Sequence, residues 1–181
     1  KSVDAARHWC SLLAEHHRDQ ELSARLEVFD RWPTATHASA VHRSAGASWG
    51  EYSEHVATAL STHPREAVSF ALRTLDNVPL AWELAHTLGL DEPELWGTLA
   101  SRYEAIDPLA VVPIHTEQVL IDLEQADAKR YRAAAKRLAH LRVLTRGSEQ
   151  AAAIDELIAE LRATHRRRPR LQQEFDRAGL P

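Results

Sequence analysis

Apolar residues in this chain recur at intervals of three and four along almost its whole length, and no stretch alternates apolar with polar for long. That spacing lines one side of a helix of about 3.6 residues per turn and does not suit a half-buried strand. The segment AKRYRAAAKRLAHLR, residues 128–142, shows the pattern well. At about 100° per residue, Tyr131, Ala134, Ala135, Leu138 and Leu141 fall on one side, and Lys129, Arg132, Lys136 and His140 form a narrow stripe opposite. Arg130 and Arg137 flank the apolar side, where their aliphatic stems can cover carbon.

Start and stop signals divide the chain into helices, expected over 3–18, 20–31, 34–46, 49–62, 64–76, 78–89, 92–106, 108–125, 128–146 and 149–167, with a short last one from Pro169 towards Gly179. In the first, Ala6, Trp9, Leu12, Leu13 and His16 are placed on one face. Ser2 and Asp127 read as caps, the third helix follows Thr34, and Asn77-Val78-Pro79 opens the sixth. Ser48 with Glu51, and Asp91 with Glu94, read as capping boxes, and Ser148 as a further cap. Pro64, Pro79, Pro108 and Pro169 sit at helix starts, where a missing N–H is tolerated, and Gly46, Gly89, Gly147 and Gly179 are expected stops. With loops of only two to four residues, consecutive helices must pack as antiparallel hairpins.

Equivalent features return about every 30–35 residues, as from Trp49 to Trp82 and through Pro33, Pro64 and Pro93. A hairpin leaves an apolar face that only the next hairpin can cover. Residues 99–113, LASRYEAIDPLAVVP, come nearest to a tetratricopeptide pattern through Ala100, Tyr103, Asp107-Pro108 and Ala110. The expected fold is all-α: a right-handed superhelical array of antiparallel helix hairpins, a tetratricopeptide-like α-solenoid, filling residues 1–181 as one domain.

The series FDRWPTATHASAVHRSAG, THPREAVSFALRTLDNVPLAWELAHTLGL and IDPLAVVPIHTEQVLI, followed by YRAAAKRLAHLRVL and IAELRATHRRRPRLQQEFDRAGL, resembles the helical C-terminal region of bacterial SWIM zinc-finger proteins. In that family a C-x-C followed by C-x-H binds zinc ahead of the helical array. The resemblance implies DNA binding or protein–protein contact for the full-length protein and no agreed reaction for the array. No C-x-C occurs here, so the resemblance places any zinc site upstream of Lys1. With no methionine in the sequence, Lys1 is expected to be a cut point within a longer protein.

Composition narrows the function classes. The single cysteine, Cys10, supports neither a disulfide framework nor a thiolate zinc site, and is expected buried as a small apolar residue. It points to a reducing, cytoplasmic setting. The longest apolar run, LAVVPI, falls far short of the roughly 20 residues a bilayer needs, so no membrane contact is expected. No signal peptide, glycine-rich phosphate loop or G-x-S-x-G is present, and no enzymatic activity is expected. Among the 11 histidines none is three or four residues from another, and Glu83-x-x-His86 occurs in one copy, so no metal or other cofactor is expected in this chain.

Charge is lopsided. Residues 1–126 hold 9 Lys and Arg against 19 Asp and Glu, whereas 127–181 hold 13 against 7. The basic half offers Lys129, Arg132, Lys136 and His140 on one helix, then Arg162, Arg166, Arg167, Arg168 and Arg170. Three readings stay open for this patch: a solvated face, contact with an acidic protein partner, and contact with nucleic acid through phosphates. Arginines near a helix C-terminus are favoured by the macrodipole alone, and no aromatic residue in 162–170 suggests base stacking. The five tryptophans are expected to wedge helix pairs together, with Trp49, Trp82 and Trp96 able to line a concave groove. The leading expectation is a protein-interaction or scaffolding module whose partner is an unknown protein; the alternative is an accessory nucleic-acid contact through 128–146 and 149–170.

Overall fold

The computed structural model describes residues 2–16 and 18–181. Among these every regular element is helical: α1 (Val3–His16), α2 (Arg18–Arg31), α3 (Ala35–Ala45), α4 (Trp49–Leu60), α5 (Pro64–Arg73), α6 (Val78–Thr87), α7 (Pro93–Tyr103), α8 (Val112–Glu124), α9 (Ala128–Leu144), α10 (Ala151–Thr164) and α11 (Pro169–Arg177), with one 3-10 turn at Gly46–Ser48. The all-α class holds, and none of these helices is long and apolar enough to cross a membrane.

Local chemistry accounts for most boundaries. Thr34 accepts from the His37 N–H, Asn77 from the Leu80 N–H, and Asp127 from the N–H groups of Lys129 and Arg130. The four glycines expected as stops all adopt positive φ, between 51° and 80°, a region that other residues enter with strain.

One expected cap and several starts depart from expectation, and α2 begins at Arg18 rather than at residue 20. Ser48 makes no side-chain cap, because it lies inside the 3-10 turn that leads directly into α4. α8 begins at Val112 rather than Pro108: the Asp107 carboxylate accepts from the N–H groups of Leu109 and Ala110 and holds 107–110 as a turn. α10 begins at Ala151, because Ser148 bonds the Gln150 N–H and the Thr145 carbonyl while the chain is still turning.

Two compact units are formed, Lys1–Leu95 and Trp96–Pro181. In the first, each helix from α1 to α6 packs on the next, and α3 also packs on α5. Its core gathers Phe29, Ala38, Val41, Val56, Leu60, Ala67 and Phe70. Glu66 of α5 accepts from the Ala35 N–H at 2.6 Å, adding a second acceptor at the start of α3.

The protected side of α1 is not the one expected. Cys10 and Leu13 are buried, whereas Trp9 is 58% exposed and Leu12 37%. The segment carries two apolar stripes about one residue apart, and the one through the small Cys10 faces the protein. The side chain of His16, and His17, lie outside the described residues.

In the second unit α9 is the hub, packed by α8, α10 and α11. Its buried residues are Tyr131, Ala134, Ala135, Leu138 and Leu141, the side read from spacing. Around them close Val119, Leu123, Ile154, Ile158, Leu171 and Phe175.

Candidate functional site

Two features of the described residues go beyond what packing requires: an apolar cleft in the first unit and a buried polar cluster in the second.

The cleft has α5 as its floor, with Ala67, Phe70 and Ala71, and α4 and α6 as its walls. α4 contributes Trp49, Ala57 and Leu60; α6 and the turns beside it contribute Leu75, Leu80, Leu84 and Leu88. Its volume is about 350 Å³, within the range of sites that take a ligand or an inserted side-chain cluster. Trp49 is fixed against Phe70 (centroids 5.8 Å apart) and against the His42 ring (4.8 Å). Leu75, Leu80, Leu84 and Leu88 are all only partly buried. The flanking helices are acidic without compensation: α4 carries Glu51 and Glu54, α6 carries Glu83, and neither holds Lys or Arg.

Of the expected groove aromatics, Trp49 alone lines this cleft. Trp82 is also in the first unit, edge-on to His86 at 4.9 Å, and Trp96 falls in the second.

The polar cluster assembles from three places along the chain. Glu104 follows α7, His115 lies in the first turn of α8, and His140 stands on the outer stripe of α9. Glu104 Oε2 is 2.9 Å from His140 Nε2 and 3.5 Å from His115 Nε2, and the three donor atoms lie within 4.8 Å of one another. His140 is 45% exposed at its side chain and His115 only 4%. Behind His115, Arg137 Nη1 is 3.4 Å from Nδ1 and Nη2 is 3.9 Å from Asp122 Oδ2.

Three buried atoms here lack a hydrogen-bond partner among the described residues: His115 Nε2, Asp122 Oδ2 and Arg137 Nε. Burial first, and then the Arg137 charge, lower the His115 pKa from the ordinary imidazole value and disfavour its charged form.

His37, the other buried histidine among the described residues, is satisfied. Its Nδ1 lies 2.7 Å from the Trp32 carbonyl, to which it donates, and Nε2 accepts from Arg7 Nε at 3.2 Å. Cys10 is buried as expected, and desolvation raises its thiol pKa, which makes it a poor nucleophile.

The basic patch divides. Arg162 donates to the Pro181 and Leu180 carbonyls, to Gln172 and to Asp176, and lies over the Phe175 ring. Arg168 donates to the Leu123 carbonyl at the end of α8 and covers Tyr131. Both are structural clamps. Arg132 leans to the buried Glu174 at 3.5 Å, and His140 belongs to the cluster above. Lys129, Lys136, Arg166, Arg167 and Arg170 are exposed, with no ion-pair partner among the described residues.

No family model matches this chain, and comparison with curated proteins and with solved structures finds no match.

Proposed function

We propose that this chain is a non-enzymatic protein-interaction module that receives the apolar face of a partner's amphipathic helix in the cleft between α4 and α6, with basic residues of that helix beside Glu51, Glu54 and Glu83. The observation that carries the reading is the row of four partly exposed leucines along one apolar cleft, Leu75, Leu80, Leu84 and Leu88. A helix in a groove presents apolar anchors every three or four residues, which suits a cleft floored by one helix and walled by two. The acidic walls favour a basic partner over an acidic one. A tetratricopeptide-like, right-handed course of the hairpins, and kinship with the SWIM zinc-finger arrays, belong to the same reading.

A helical peptide of leucine and lysine, titrated into protein carrying labelled leucine methyls, tests it. The methyl signals of Leu80, Leu84 and Leu88 should shift, Leu84→Glu should abolish the shifts, and a leucine–glutamate peptide of equal length should bind more weakly. Methyl signals that stay fixed while the peptide binds elsewhere would sink the reading. The runner-up, an accessory nucleic-acid contact, rests on the five unpaired surface cations of the second unit.

A further inference from the structure

We propose that Glu104, His115 and His140 form a binding site for a single zinc-class divalent cation, with water completing its coordination. Two imidazoles and a carboxylate are a donor set that suits such an ion. Metal–ligand bonds of about 2.0–2.2 Å put tetrahedral donors roughly 3.3–3.6 Å apart. Of the separations from Glu104 to the two imidazoles, 3.5 Å falls in that range and 2.9 Å a little short of it, and no pair of the three donors exceeds 4.8 Å.

The independent observation is His115 Nε2. It is buried and faces the Glu104 carboxylate at 3.5 Å without a well-formed hydrogen bond, whereas both nitrogens of His37, also buried, are satisfied. A buried polar atom left without a well-formed partner calls for an explanation, and an occupant at this atom is one. His140 and Glu104 keep the opposite side in contact with solvent, which gives the ion an entry path and leaves room for water ligands.

Arg137 is the objection that must be met. Its Nη1 stands 3.4 Å from His115 Nδ1, and a metal on Nε2 requires that the ring keep its one proton on Nδ1, which puts two donors face to face. The neighbouring orphans supply the answer. Asp122 Oδ2 and Arg137 Nε are both unpartnered, and Arg137 already lies 3.9 Å from Asp122. Arg137 Nε and Asp122 Oδ2 are a complementary donor and acceptor, so a shift of the guanidinium towards Asp122 would pair them and take the opposing donor away from Nδ1, whose proton then needs an acceptor of its own. Arg137 and Asp122 are thus positioning residues, and their charges offset each other beside the cation. No step here is a reaction: each ring moves its proton from Nε2 to Nδ1 and the ion takes the vacated lone pair.

The test uses the whole untagged chain, stripped with chelator, and titrates zinc chloride by calorimetry, with cobalt(II) as a spectroscopic substitute. Expected are one ion per chain, visible d–d bands of a four- or five-coordinate cobalt centre, and a melting temperature that rises with zinc. His140→Ala, on a half-exposed ring, and separately Glu104→Gln, should each weaken zinc by about tenfold or more. Both should remove the melting shift while circular dichroism stays native. His86→Ala, on a surface ring in the other unit, should change none of these. Absence of stoichiometric zinc binding, or binding that both variants leave intact, overturns the proposal.

Discussion

His37 and His115 are both buried imidazoles, and their surroundings treat them in opposite ways. A carbonyl and a guanidinium fix the tautomer of His37 and leave nothing unpaired. His115 has a cation at one nitrogen and an unpaired lone site at the other. Nothing in the sequence around either residue distinguishes them, since their side-chain neighbours come from other helices or turns, Arg7 for His37 and Glu104 and Arg137 for His115.

Asp127 is the opposite case, a residue whose role is local and readable. Its carboxylate accepts from the N–H of Arg130 and then of Lys129, which holds it below the ordinary value of 3.8. A depressed carboxyl binds fewer protons folded than unfolded as pH falls, so its contribution is present above the unfolded pKa and is lost as pH falls through the folded one. Thermal melting followed from about pH 6 to pH 2 should therefore steepen in acid for the native chain, and Asp127→Asn, which caps without titrating, should show a shallower acid slope. Equal slopes for both would mean that the cap contributes nothing to acid stability.

Among elements, α11 depends on an arginine that the sequence places in a surface patch. Arg162 closes α10 against the C-terminal carbonyls and Phe175, while Arg167, five residues on, is exposed and unpaired. Arg162→Ala should destabilise the chain by about 1–3 kcal/mol in urea unfolding, and Arg167→Ala by well under 1. The reverse ranking would mean that the clamp is ornamental.

This pair marks where sequence reading stops. The buried side of α9 follows from spacing because one helix sees its core along a single direction, and the glycine stops follow because positive φ is a one-residue property. The start of α8 did not follow, because Asp107-Pro108 is compatible both with a helix start and with the carboxylate-held turn the chain adopts. The Glu104–His115–His140 cluster was hidden for a different reason. A search for ligand pairs on one helix cannot find donors that meet only after three elements pack, and His140 reads as one more polar residue on a solvated stripe. Trp9 was misplaced for want of a tie-breaker between two neighbouring stripes, and Trp49 lines the cleft because Phe70 and His42 hold it there.

For the molecule as a whole, charge decides how much weight the nucleic-acid reading bears. The net charge is −4, and the first 126 residues alone stand at −10, so a polyanion is repelled in general and attracted only locally. Of the nine residues in the basic patch, Arg162 and Arg168 are committed to backbone carbonyls, Arg132 leans to Glu174 and His140 to Glu104. That leaves Lys129, Lys136, Arg166, Arg167 and Arg170. Even if all five met phosphates of a duplex, the slope of log affinity against log salt could reach only about −4 to −5, and the acidic remainder opposes it. The expected outcome of a fluorescence-anisotropy titration with labelled duplex DNA is weak binding at ~50 mM salt and none at ~200 mM. Charge reversal at Arg166 and Arg167 should remove what little there is, with the cleft's response to a leucine–lysine helix unchanged. Micromolar affinity that persists at ~200 mM with a slope near its ceiling would reverse the ranking. The cations of the second unit would then be the principal surface, and the leucine cleft of the first a secondary one.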